Sequence, residues 1–174
     1  RYISALDEII QHCKSISQKV KTVSDFGLPT EISNAELLEF QALEIHQNSI
    51  EDIYPLSPLQ EGLLFHSLYD NNTAAYIVQF QCDIVGEFSI SSFEKAWKYL
   101  LEKHTILRTG IHTQNISIPV QCVYHDVQVP LQIIDFSTLS EEETTKAVAT
   151  FIKEDRNSGF ILHEAPLFRI TIIH

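Results

Sequence analysis

Eight histidines, three cysteines and an excess of carboxylates give this chain the raw material for acid–base, nucleophilic or metal chemistry, so spacing decides what they can do. A nucleophilic hydrolase needs an activated Ser or Cys, often on a GxSxG turn, and no such turn occurs. A phosphate cradle needs clustered glycines whose amides stand exposed, whereas Gly27, Gly62, Gly86, Gly110 and Gly159 are isolated. His12, His46, His66, His104, His112, His125, His163 and His174 never fall in HExxH or a comparable ligand spacing, so no metal is expected. Each histidine reads as a surface or satisfied core side chain. His104 is the exception to follow, because it closes the apolar face of a helix that carries Trp97. Cys13, Cys82 and Cys122 are odd in number and far apart, which fits neither a disulfide framework nor a CxxC pair; they read as reduced core residues.

Bulk properties exclude further classes. The formal charge is -11, from 12 Lys and Arg against 23 Asp and Glu, which repels a phosphate backbone, and no basic stripe interrupts it. Nucleic acid is therefore not an expected partner. No apolar run approaches the roughly 20 residues of a bilayer span, and the first residues are amphipathic rather than signal-like. The expectation is a cytoplasmic protein with an ordinary core and no membrane contact. The chain has no Met and opens with Arg1, which suggests a piece of something longer.

The elements that must position any site follow from periodicity. Ile3, Leu6, Ile9, Ile10, Cys13 and Ile16 recur at three and four, predicting a helix over residues 2–20 with one buried face. Residues 21–32 lose the pattern and read as a linker. Ser33 with Glu36, and Ser57 with Pro58 and Gln60, start helices, as do Ser91 with Glu94 and Ser140 with Glu143. The acid run Glu141 to Glu143 suits a helix N-terminus. Alternation from Tyr76 to Val85 predicts a strand, and runs at 107–112, 118–125, 129–135 and 167–173 predict four more. The stretch before Ser57 shows no regular element. Consecutive strands mixed with helices predict an α+β fold, a sheet with helices packed on one face.

Three ordered segments carry a resemblance. Asp52 to His66, DIYPLSPLQEGLLFH, closely resembles the first core motif of nonribosomal peptide synthetase condensation domains. Lys103 to Ile111, KHTILRTGI, is similar to that family's RHExLRTxF, with Lys for Arg and Thr for Glu but HxxLRT kept. Phe160-Ile161-Leu162 and Ala165-Pro166-Leu167-Phe168-Arg169 are similar to the passage that leads to its catalytic motif. Ile9 to Cys13, IIQHC, followed by Ser24-Asp25-Phe26, is similar to the end of an epimerization domain. The resemblance divides the chain into a helix and interdomain linker, 1–49, and the N-terminal part of a condensation domain, 50–174.

What the resemblance implies is an N-terminal lobe of chloramphenicol acetyltransferase-like fold. Two lobes form a V with a tunnel, entered from opposite faces by 4'-phosphopantetheine arms on carrier proteins, and an acceptor amine attacks a donor thioester. The partners implied are those carrier proteins, the C-terminal lobe of the same domain and neighbouring synthetase domains. The catalytic HHxxxDG motif is absent from this sequence, which has no adjacent His pair, so no catalytic residue is assigned and the fragment alone is expected to be inactive. Arg108 matches the family Arg that pairs with the motif Asp; its bland alternative is a solvated Arg after a helix. His104 takes a structural role beside it. Tyr54, Ser57 and Gln60 belong to the first motif and either line the tunnel or pack, Ser57 reading better as an N-cap than as a catalytic hydroxyl. Two other readings remain: a noncatalytic linker and docking module, or part of an epimerization or related acyltransferase domain. A lobe without its partner should expose apolar surface and self-associate.

Overall fold

The computed structural model describes residues 2–15, 21–43, 50–69 and 76–174. Helix α1 (Tyr2–Ser15) and helix α2 (Asn34–Ala42) precede strand β1 (Ile50–Pro55) and helix α3 (Pro58–Tyr69). Helix α4 (Ile90–Lys103) runs through a 3-10 turn at Thr105–Arg108 into β2 (Thr109–His112). Strands β3 (Val120–Tyr124) and β4 (Leu131–Ile134), helix α5 (Glu141–Ser158) and strand β5 (Ile170–Ile173) complete the order. The α+β class is as expected, but the strands fall into two sheets: antiparallel β1-β3-β2 and the parallel pair β4-β5.

Most helices begin where side chains satisfy the orphan amides of the first turn. Ser33 with Glu36 and Ser140 with Glu143 form capping boxes in both directions. At α3 the Ser57 hydroxyl accepts from Gln60 N at 3.3 Å, and Ser57 N donates to Gln60 Oε1 at 2.8 Å. The N-cap of α4 is Ser89, two residues earlier than the Ser91–Glu94 signal suggests, with the Ser89 hydroxyl accepting from Ser92 N. It is tied to the approach to β5 by Trp97, stacked on Phe168 at 5.2 Å.

Strand β3 is central. Cys122 lies between Ile53 of β1 and Gly110 of β2. Alternation sends Val120, Cys122 and Tyr124 to one face, and with Ile53 they join Phe26, Leu28, Ile32, Leu37 and Phe40 in one buried cluster. Residues 21–43, an irregular stretch followed by α2, thus cover one face of the sheet.

Four expectations need correction. The stretch before Ser57 is not irregular: it forms β1, whose pattern is masked by a bulge between Ile50 and Asp52. Residues 77–85 form no strand, and Val78 and Phe80 stand 92% and 89% exposed. Alternation specifies a face but supplies no hydrogen-bonded neighbour, and no described strand pairs with this segment. The apolar stripe of α1 is uncovered, with Ile3 80% exposed, since a stripe identifies a face and not the surface that buries it. Cys13 and Cys82 are exposed, and only Cys122 is a core thiol. The part of the first helix expected over 16–20, and the end of the second over 44–47, lie outside the described residues.

Candidate functional site

The residues singled out by the HxxLRT segment sit where α4 hands the chain to the sheet. Helix α4 ends at Lys103, and His104 is its C-cap, extended in backbone, exposed, with its amide donating to Leu100 O at 2.9 Å. One tight turn later Arg108 points inward and is only 6% exposed, so it is not a solvated Arg. Its Nε donates to Leu101 O at 2.7 Å, and one terminal nitrogen reaches Glu51 Oε2 at 2.6 Å and also Tyr124 O. The guanidinium therefore joins α4, β1 and β3. A buried cation needs such a partner set, because desolvation costs several kcal/mol unless charge and hydrogen bonds offset it. His125 Nδ1 lies 3.6 Å from the same Glu51 oxygen.

The bulge places Glu51 here. Ile50 pairs with Tyr124 and Asp52 with Val123, so Glu51 is the extra residue on β1, with its side chain turned to the Arg108 head. The sequence reading missed Glu51; an inserted residue erases the alternation that would have marked its strand.

The first-motif residues occupy the other end of β1. Tyr54 donates to Asp52 Oδ2 at 2.6 Å; that hydrogen bond, helped by partial burial and the acids nearby, holds its phenol above the ordinary range. Ser57 is the N-cap described above. Gln60 uses its amide to reach Gln121 Oε1 at 3.2 Å, while Gln121 Nε2 donates to Pro55 O at 3.3 Å. These contacts fasten α3 to the β1–β3 ladder. The structure thus brings Tyr54, Ser57 and Gln60 together at one end of β1 and Arg108 to the other, while His104 stays exposed at the end of α4.

A second buried polar pair lies inside the core cluster. His112 Nε2 and Tyr124 Oη are 2.5 Å apart, and the Phe40 ring meets the imidazole edge-on at 5.4 Å. Burial pushes the Tyr124 phenol far above its ordinary value, and it pushes the Cys122 thiol up to about 12. Neither can serve as an anionic nucleophile near neutrality. A shallow cleft of about 330 Å³ between α5 and β5 is lined by Gly159, Phe160, Glu164, Pro166 and Arg169. Its cation is committed: Arg169 bonds Asp155 and Gly159 O and lies over the Phe160 ring. Among the described residues no group of three His, Cys, Asp or Glu could hold a metal, and no helix is long and apolar enough to cross a membrane.

The family described as "Condensation domain" matches residues 50–174. A linear gramicidin synthase polypeptide of Brevibacillus parabrevis is 37% identical over 174 residues, covering 98% of this chain and 3% of that protein. A mycosubtilin synthase polypeptide of Bacillus subtilis is 34% identical over 170 residues, covering 98% and 6%. A second linear gramicidin synthase polypeptide of Brevibacillus parabrevis is 42% identical over 124 residues, covering 71% and 2%. The chain thus spans a few per cent of each relative's length. The starter condensation domain of rhizomide synthetase shares the fold, with a TM-score of 0.54 at 16% identity over 71% of this chain and 30% of that one.

Proposed function

The chain belongs to the condensation-domain family, and on that premise we propose that it is the first lobe of a domain joining a donor peptidyl thioester to an acceptor aminoacyl thioester. The observation that carries this reading is the coincidence of the family match over 50–174 with the three ordered motifs inside it. Carrier proteins would present both substrates on 4'-phosphopantetheine arms, in the cytoplasm. The amine attacks the thioester carbonyl, an amide bond forms, the thiol of the donor arm leaves, and the amine proton passes to a base.

Arg108 is then a positioning residue. Fixed by Leu101 O, Tyr124 O and Glu51, it would hold the carboxylate of a catalytic motif supplied by the adjoining chain. His104 caps the helix that delivers it. Tyr54, Ser57 and Gln60 keep β1 and α3 in register along the route that substrates would take. Residues 1–49 we read as the tail of an upstream unit, of epimerization type, with its connection to this lobe. Similarity through those residues to the 37% identical gramicidin synthase and to the mycosubtilin synthase supports a shared arrangement.

The test is reconstitution in the parent synthetase with loaded donor and acceptor carriers. The continuation should encode HHxxxDG within about two dozen residues of His174, the length of a loop and strand. Coupling should require it, and the 174-residue chain alone should form no peptide. Coupling by the isolated chain, or a continuation lacking that motif, would overturn the reading.

A further inference from the structure

We propose that residues 21–43 are a docked arm and not a flexible linker: they are clamped onto the β1-β3-β2 sheet and so fix the point from which the chain leaves the condensation fold toward an upstream unit. The existence of that unit rests on the reading above; the clamp rests on packing. One sheet face, formed by Ile53, Val120, Cys122 and Tyr124, is buried against Phe26, Leu28, Ile32, Leu37 and Phe40. Without the arm these neighbours would be a contiguous bare apolar surface, which stable lobes avoid.

Polar clasps hold the arm at separate points. Lys21 Nζ donates to Glu51 O at 2.6 Å, on the same residue whose carboxylate holds Arg108. Farther along, the Glu36 carboxylate accepts from both the amide and hydroxyl of Ser117, in the connection between β2 and β3. The arm is also stiff within itself. Thr22 donates through its amide and hydroxyl to Asp25 Oδ2, Leu28 N reaches Val23 O at 3.0 Å, and Val23 N reaches Asn34 Oδ1 at 3.0 Å. Gly27 makes the intervening turn at φ 61, a conformation that glycine adopts without strain. A tether of comparable length in solvent would let its ends wander by tens of ångströms. A clamped arm instead sets the point from which the upstream chain departs, and with it the effective concentration of whatever that chain delivers.

Amide exchange in the 174-residue chain tests the clamp. Leu28, Ile32 and Leu37 should be protected to within roughly tenfold of Cys122 in β3, whereas a solvent-borne linker would exchange a thousandfold or more faster and overturn the proposal. The coupling role is tested in the parent synthetase with Phe26→Ala, or with Glu36→Ala should the first variant lose its circular dichroism. Transfer from the upstream carrier should fall at least about tenfold, while coupling of a soluble donor thioester stays within about twofold of the unsubstituted enzyme. Equal loss in both assays, or loss in neither, would leave the arm as mere core and defeat the coupling role. Failure of the unsubstituted enzyme to couple the soluble donor would instead count against the condensation reading, with the exchange result still judging the clamp.

Discussion

Arg108 bonds α4, β1 and β3 at once, and the planar fork of its head makes that possible. Lysine would keep the charge but could not reach three acceptors in fixed directions. Arg108→Lys should therefore lower stability by about 2 kcal/mol, read as a fall in the urea midpoint; an unchanged midpoint would show the fork to be dispensable. Gly110 is constrained differently. A Cβ there would lie 3.1 Å from His163 O and 3.3 Å from Leu162 O, where Ile111 N donates to Leu162 O. Gly110→Ala should cost about 1–3 kcal/mol, since backbone and not a pliant side chain must move. Among the thiols, iodoacetamide near neutral pH should modify Cys13 and Cys82 and spare Cys122 until the chain unfolds, because burial removes both access and thiolate. At this scale the sequence spoke unevenly. HxxLRT drew attention to Arg108 through resemblance, but neither Glu51 nor the His112–Tyr124 pair left a periodic trace, because long-range pairing across β1, β2 and β3 creates both.

Helix starts were the most legible elements, because caps are local: two capping boxes and the Ser57-Pro58-Gln60 start form within four residues of chain. Strands were less so. The alternation at 76–85 exceeds that of β1, yet β1 pairs and 76–85 joins no described strand, since a ladder depends on a neighbour that one segment cannot encode. The arm was least legible of all; its buried residues follow turns and a short helix, with no single period to betray them. Two outcomes test its weight. Phe40→Ala should cost about 3–5 kcal/mol, as truncation of a fully buried aromatic does. The hydrogen bonds from Ser117 hold the Glu36 carboxyl below its ordinary 4.5. A depressed carboxyl contributes its stability above the unfolded value and loses it as pH falls through the lower folded value. Unfolding below about pH 4.5 should thus be eased in the native chain and less pH-dependent in Glu36→Gln.

For the molecule as a whole, the motifs disclosed the family, whereas the distribution of exposed apolar surface came only from the structure. Val78, Phe80, Ile84 and Val85 stand in water along a stretch without regular structure, held to α5 by the Gln79 side chain, 3.0 Å from Ile152 O and 2.8 Å from Asp155 Oδ2. Apolar side chains exposed together along one stretch invite association. The isolated chain should sediment as concentration-dependent oligomers, and Phe80→Lys should shift it toward monomer; a single monomeric boundary at high concentration would contradict this. The pairing of Ile53 with Cys122 also orders events on the ribosome. The segment from 21 to β1 emerges before β3 and has no strand to close upon until β3, roughly seventy residues after Ile53, has cleared the exit tunnel. Nascent chains stalled near residue 110 should therefore be cut readily by protease between 21 and 43, and chains stalled well past 160 should resist.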